Sequence, residues 1–123
     1  MLRQFVALGA VSGVLAVLLG AFGAHALRAR LAPDMLAIWQ TASQYHFYHA
    51  LALVLTGLAA ASLGTSGPLR AGGWAFVVGT LVFSGSLYLL AFTGVRWLGA
   101  ITPIGGVTLI LGWALLAAAA LRA

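Results

Sequence analysis

The polar chemistry of this chain is concentrated in one segment, Trp39–His49, which reads WQTASQYHFYH. If the segment is helical, Thr41, Tyr45 and His49 follow one another at intervals of four residues and share one face. Hydroxyl, phenol and imidazole groups on one face can bind an amphiphile, hold a metal ion or transfer protons. The apolar run 50–61 follows directly. We therefore expect this polar face to lie near the end of a membrane-spanning helix, directed towards protein rather than lipid.

The composition excludes a soluble globule and several classes of function. The chain is 63% hydrophobic and 6% charged, with a mean hydropathy of +1.12, whereas about a quarter of the residues in a soluble domain are charged. Its net charge of +5 comes from scattered arginines, which form no continuous basic stripe, so we expect no nucleic-acid partner. There is no cysteine, which excludes disulfides, thiolate metal sites and thiol catalysis.

Apolar runs of membrane-spanning length predict an all-α fold, an integral membrane bundle of four antiparallel transmembrane helices with short connections. The whole chain, residues 1–123, forms one domain in this interpretation. The predicted spans cover about 4–25, 43–63, 73–92 and 99–121, with 35–42 as an interfacial start of the second helix.

Local signals predict where these helices begin and end. Pro33 and Asp34 predict a helix start at which the Asp34 carboxylate caps free amide groups. The segment Gly64–Pro68 predicts a turn. The uncharged run after Arg3 exceeds the roughly 7–15 apolar residues of a signal-peptide core, so we interpret it as a span.

Small residues predict where helices approach each other closely. Several of them recur at intervals of three or four residues along the first span, and others interrupt the third and fourth spans. The glycines that we expect to serve helix packing are Gly9, Gly13, Gly20, Gly85, Gly105, Gly106 and Gly112. We interpret Ser84-Gly85-Ser86 as a packing element too, because a serine hydrolase needs an acid and a base that this region lacks.

An antiparallel arrangement brings polar residues of all four helices to one end of the bundle, near the connections that follow the first and third helices. The candidate ligand-binding residues in this layer are His25, Thr41, Gln44, Tyr45, His49, Ser84, Ser86, Tyr88 and Thr102. Arg28, Arg30 and Arg96 would rim the layer and attract an anionic headgroup.

The arginines do not decide the orientation of the chain in the membrane. Three lie on each side of the predicted bundle: Arg3, Arg70 and Arg122 on the side of the termini, and Arg28, Arg30 and Arg96 on the other. Our prediction is a bacterial cytoplasmic (inner) membrane protein with both termini in the cytoplasm. The expected partners are membrane lipids and either further copies of the chain or a larger membrane complex.

Motifs along nearly the full length resemble a known family. They are Gly20–His25, Trp39–Thr41, Tyr45, His49–Ala52, Leu81–Tyr88, Thr102–Gly106 and Gly112–Trp113. In these motifs the chain resembles the uncharacterised membrane family called domain of unknown function 423, which includes mitochondrial transmembrane protein 256. The resemblance implies a four-span membrane protein and no particular activity. His46 lies outside the matching pattern, so we rank it below His25 and His49.

Four functions are open at this point. We favour a non-enzymatic protein that binds a lipid or quinone-like amphiphile, or docks a partner subunit, through its polar layer. The first alternative is a haem or metal carrier that uses His25 and His49, which requires the two side chains to lie at compatible depths. The second is a lipid-directed enzyme with His49 as base and Tyr45 or Ser86 assisting. The third is a packing partner inside a larger complex.

The residue types weigh against catalysis and tightly bound cofactors. The only acid of the chain, Asp34, lies in a predicted connection, so no span contains a carboxylate that would complete a triad or couple transport to protons. We therefore predict no enzymatic activity, no catalytic residue, no cofactor and no metal, with each histidine making a structural hydrogen bond.

Overall fold

The structure, a computed structural model, describes residues 1–123 as four long helices joined by short connections. In chain order the elements are α1 (Arg3–Phe22), one π-helical turn (Gly23–Leu27), α2 (Pro33–Leu63), α3 (Gly67–Thr93), a short 3₁₀ turn (Arg96–Ala100) and α4 (Thr102–Arg122). All four helices are long and apolar enough to cross a membrane. The predicted all-α membrane bundle is therefore confirmed.

The connection between α2 and α3 is shorter than the sequence predicted. Gly64 ends α2 with a φ of 79°, in the region that favours glycine. The Ser66 hydroxyl then accepts the Leu69 backbone N–H at 3.3 Å and caps α3, which begins at Gly67 and holds Pro68 in its first turn. The predicted turn is wrong for Gly67 and Pro68, because capping by Ser66 extends the helix back to them.

The predicted capping role of Asp34 is also wrong. Helix α2 begins at Pro33, so the N-cap position falls on Ala32 and Asp34 lies inside the first turn. Its carboxylate lies 4.0 Å from the Arg96 guanidinium in an exposed pair that contributes little stability. This pair does show that the connections after α1 and α3 lie at the same end of the bundle.

The start of α2 is not a separate surface element. The helix runs without interruption from Pro33 to Leu63, and Trp39, predicted at an interface, is buried in the protein. Its indole N–H donates to the Leu19 carbonyl at 2.9 Å, and its ring lies where a side chain on Gly23 would be.

Helices α2 and α3 form the centre of the bundle, with α1 packed antiparallel on α2 and α4 antiparallel on α3. Where α1 meets α2, a Cβ on Gly9 would lie 2.7 Å from the Ala50 carbonyl oxygen. Where α4 meets α3, a Cβ on Gly112 would lie 2.7 Å from the Phe76 ring. Both helix pairs approach at distances that only glycine permits.

The predicted packing glycines divide into three groups. Gly9, Gly105 and Gly112 lie at close helix contacts, whereas Gly20 and Gly106 make ordinary van der Waals contacts. A Cβ on Gly13 or Gly85 would meet nothing within 4 Å, so these two do not serve packing among the four helices. The close-contact glycines outside the predicted set are Gly23, Gly57, Gly72, Gly73 and Gly79.

Helix α1 and the π-helical turn that follows it reach α3 at opposite ends of the bundle. At the end that holds the chain termini, the fully buried Phe5 ring packs on Gly73 and against Trp74, with ring centroids 5.4 Å apart. At the other end, Leu27 forms a buried cluster with Trp39 and Ala91. Between these two contacts α1 and α3 separate and leave a cavity.

Candidate functional site

The cavity lies between α1 and α3, across one face of α2, and has a volume of about 390 Å³. This is within the range of roughly 300–1,000 Å³ that is typical of small-molecule sites. Most of its wall is apolar. The polar residues in the wall are Ser12, His46, Thr80, Ser84 and Tyr88. A mainly apolar cavity with a few convergent polar groups is the usual form of a small-molecule site.

The cavity lies near the middle of the spans and opens towards lipid. Thr80 is 13 residues after the start of α3 at Gly67 and 13 before its end at Thr93. At the rim, Val11 and Leu81 are 60% and 69% exposed, and both are apolar. The mouth of the cavity is therefore apolar and lies midway along the helices, which is the depth of the bilayer core in a chain that spans a membrane.

His46 joins three helices through hydrogen bonds in the wall of this cavity. Its Nδ1 lies 3.0 Å from the Tyr88 hydroxyl of α3, and its Nε2 lies 3.0 Å from the Ser12 hydroxyl of α1. The Tyr88 hydroxyl donates to Ser43 Oγ at 3.3 Å. Tyr88 therefore accepts the N–H of His46 Nδ1, and His46 Nε2 accepts the Ser12 O–H. A neutral imidazole with its proton on Nδ1 pairs both ring nitrogens in this network.

His49 makes a different connection, from α2 to α4. Its Nδ1 lies 2.7 Å from the Tyr45 carbonyl oxygen, which can only accept, so Nδ1 carries the proton. Its Nε2 accepts the Trp113 indole N–H at 3.0 Å. Both ring nitrogens are engaged, which leaves no lone pair for a metal ion or for a proton from a substrate. The geometry supports the structural interpretation of this histidine.

His25 and His49 do not lie at compatible depths, and this expectation is wrong. His25 is exposed in the π-helical turn, five residues after Gly20, whereas Gly20 packs on Ser43, six residues before His49. At about 1.5 Å per residue, the two histidines are separated by roughly 16 Å along the bundle. One metal ion or haem cannot bridge them, and no cluster of three or more His, Cys, Asp or Glu exists.

The predicted serines lie at helix contacts. The Ser84 hydroxyl donates to the Ala42 carbonyl at 2.9 Å and so joins α3 to α2. The Ser86 hydroxyl lies 2.6 Å from Thr102 Oγ1 and 3.0 Å from the Phe83 carbonyl oxygen, joining α3 to α4. The expected packing role agrees with these contacts of Ser84 and Ser86, but not with Gly85, where a Cβ would meet nothing within 4 Å. The predicted polar layer is thus divided among separate pairwise contacts.

The remaining predicted residues lie outside the cavity. Thr41 donates to the carbonyl of Ala37 on its own helix, and Gln44 and Tyr45 are exposed. The three predicted rim arginines, Arg28, Arg30 and Arg96, are exposed at the connections.

Of the predicted ligand-binding residues, only Ser84 and Tyr88 line the cavity. From the sequence, His46 ranked below the other two histidines, and Ser12 and Thr80 were not among the predicted residues. The signal in the sequence that could have identified these residues is a polar residue that interrupts an apolar run in the middle of a span.

Four spans with polar groups buried at mid-depth define this chain as a small polytopic membrane protein. It belongs to the family described as "Protein of unknown function (DUF423)", whose pattern matches residues 19–106. The chain is 44% identical over 121 residues to the UPF0382 membrane protein YwdK of Bacillus subtilis, and 46% identical over 121 residues to a UPF0382 membrane protein of Staphylococcus epidermidis. Each alignment covers 98% of both chains.

A UPF0382 membrane protein of Staphylococcus saprophyticus is 44% identical over 115 residues, which is 94% of each chain. No solved structure matches the chain. Relatives from bacteria that are named membrane proteins, together with four apolar helices, are consistent with the predicted bacterial inner-membrane location. The family is one of unknown function, and nothing in these names points to catalysis.

Proposed function

We propose that this protein is a non-enzymatic membrane protein that binds a lipid or quinone-like amphiphile in the cavity between α1 and α3. The observation that carries this proposal is the position of the cavity, which lies at mid-span and is walled mainly by apolar side chains. A hydrocarbon tail can enter laterally from the bilayer, and the polar residues around His46 receive the polar part of the molecule. The site differs from the predicted layer at the connections, because it lies deeper and excludes the arginines.

The hydrogen bonds of the histidines favour binding over catalysis. A base needs a nitrogen lone pair within reach of its substrate, but Nε2 of His46 accepts from Ser12 and Nε2 of His49 accepts from Trp113. The only acid, Asp34, is exposed in the first turn of α2, at the opposite end of that helix from Leu63. The predicted partner subunit stays a prediction, since the exposed apolar faces of α1 and α4 suit lipid equally well.

Replacing Gly85 with leucine tests the proposed function. Gly85 lines the cavity, and a Cβ there meets nothing within 4 Å, so a leucine adds side-chain volume at the cavity wall without a backbone clash. We expect the variant to lose at least about tenfold in the fraction of protein that retains a bound amphiphile. Native mass spectrometry of gently solubilised protein measures this fraction and gives the mass of the occupant.

Gly13→Leu is the matched control. A Cβ on Gly13 also meets nothing within 4 Å, but Gly13 does not line the cavity. The control should retain the amphiphile as the natural protein does. Equal retention by Gly85→Leu and Gly13→Leu would show that the amphiphile binds elsewhere and would contradict the proposal.

A further inference from the structure

Helix α2 has an outward face that no other helix of the chain covers. Six exposed residues follow one another along this face at alternating intervals of three and four, and we name them the α2 stripe: Thr41, Gln44, Tyr48, Leu51, Leu55 and Leu58. Alternation of three and four gives the period of about 3.5 residues at which two helices stay in contact along their length. The α2 stripe therefore has the pattern of a contact seam between two helices.

Gln44 places an amide on the α2 stripe near the middle of the span. The carbonyl of Ala42 accepts the Ser84 hydroxyl, and Ser84 is four residues from Thr80, the midpoint of α3. Gln44 is two residues after Ala42 on the antiparallel helix, so it lies within about one turn, roughly 5 Å, of mid-depth. The edges of the hydrocarbon core are about 15 Å from mid-depth, which is beyond the reach of a glutamine side chain.

An amide that faces hydrocarbon at this depth has no hydrogen-bond partner. It carries two N–H donors and one carbonyl acceptor, and lipid tails can pair with none of them. The exposed hydroxyls of Thr41 and Thr108 donate to carbonyls of their own helices. The Gln44 amide has no partner among the side-chain hydrogen bonds of the bundle. A second protein helix can satisfy it, whereas lipid cannot.

We infer that the α2 stripe binds the same stripe of a second copy of this chain, with the two Gln44 amides hydrogen-bonded to each other. Copies inserted in the same orientation are related by a two-fold axis along the membrane normal, so their α2 helices run parallel and each stripe residue meets its own counterpart. The polar half of the stripe, within Thr41–Tyr48, then meets a polar half, and the leucines of Leu51–Leu58 meet leucines. A primary amide complements itself, because it both donates and accepts.

This interface is separate from the proposed ligand site. No residue of the α2 stripe lines the cavity between α1 and α3, where α2 contributes His46 and Leu53 instead. The inference therefore does not depend on the proposed function.

Disulfide cross-linking tests the contact, because the chain has no cysteine of its own. Leu51→Cys places one thiol on the α2 stripe. Leu111→Cys is the matched control on α4, since Leu51 and Leu111 are 50% and 52% exposed. Membranes that contain each full-length variant are oxidised with copper phenanthroline, and dimers are measured on non-reducing gels. We expect at least about tenfold more dimer for Leu51→Cys, because the two-fold axis brings its Cα atoms within the disulfide range of about 4–7 Å.

Gln44→Leu tests the amide, because leucine continues the apolar part of the α2 stripe but cannot form the hydrogen bond. Gln4→Leu makes the same exchange at an exposed glutamine of α1. Energy transfer between fluorescent copies labelled at Ala123→Cys, in vesicles of phosphatidylethanolamine and phosphatidylglycerol, gives the dissociation constant of the dimer. We expect Gln44→Leu to raise this constant about five- to thirtyfold, the effect of a hydrogen bond between membrane helices in model peptides, and Gln4→Leu to leave it unchanged.

Two results would overturn the inference. One is equal cross-linking of Leu51→Cys and Leu111→Cys, and the other is an equal dissociation constant for Gln44→Leu and Gln4→Leu. A cross-link from Leu51→Cys to a different protein in place of a second copy would also overturn it and would assign the α2 stripe to a hetero-complex.

Discussion

Gly105→Ala should destabilise the bundle by about 2–3 kcal/mol, the cost of overpacking a contact that cannot relax. A Cβ on Gly105 would lie 2.7 Å from the Cα atom of Phe83 and closer still to its backbone nitrogen. A flexible side chain could rotate away, but the backbone of α3 cannot. Helix α4 would therefore have to move away from α3, which would also stretch the 2.6 Å contact between Ser86 and Thr102.

The neighbouring glycine provides the control for this prediction. A Cβ on Gly106 would lie 3.6 Å from the Phe83 ring, an ordinary van der Waals contact. Gly106→Ala should be neutral or stabilising, because alanine is favoured over glycine inside a helix by up to about 1 kcal/mol. Unfolding by sodium dodecyl sulfate in mixed micelles, followed by circular dichroism, measures both changes. Equal stabilities of the two variants would argue against close contact of α3 and α4 at Gly105.

The four spans could be predicted because the length of an apolar run is a property of the sequence alone. The contacts between spans depend on which face of a helix meets its neighbour, and small residues do not specify this. Gly13 and Gly9 look equivalent in the sequence, yet Gly9 packs on Ala50 and Gly13 contacts nothing. Gly57 and Gly73 were missed because their partners, on α1, are distant in sequence.

The candidate site was harder to predict because, in α2, a shift of one residue along the sequence moves a side chain from the buried face to the exposed face. The predicted face placed Thr41 and Tyr45 with His49, at intervals of four. The buried face instead includes Ala42, His46, His49 and Leu53, at intervals of four, three and four, which follow the helical period of 3.6 more closely. Thr41 and Tyr45 thus turn outward.

Ranking the histidines by family pattern also favoured histidines that lie outside the candidate cavity. The pattern favoured His25, which is exposed, over His46, whose ring bonds α1 and α3 at the cavity. A motif indicates which residues recur, whereas burial and hydrogen bonding depend on the helical face.

His46→Leu should destabilise the bundle by about 1–2 kcal/mol. Leucine keeps the apolar volume but leaves the Ser12 hydroxyl without an acceptor and the Tyr88 hydroxyl without a donor. Hydrogen bonds between membrane helices contribute about 0.6 kcal/mol on average, and leaving buried groups unpaired adds to this loss. Unfolding in mixed micelles measures the change. His25→Ala is the control and should stay within about 0.5 kcal/mol, because His25 is exposed.

Double-mutant cycles would show that this loss belongs to the network and not to packing alone. Ser12→Ala and Tyr88→Phe each remove one partner of the His46 ring, so each should cost less when His46 is already leucine. Strict additivity in both cycles would show that the ring is not coupled to α1 and α3 through these bonds. A coupling at Ser12 and Tyr88 would mean that one imidazole fixes the distance between the two helices that bound the cavity. The width of the cavity opening between α1 and α3 would then depend on His46, a residue of α2.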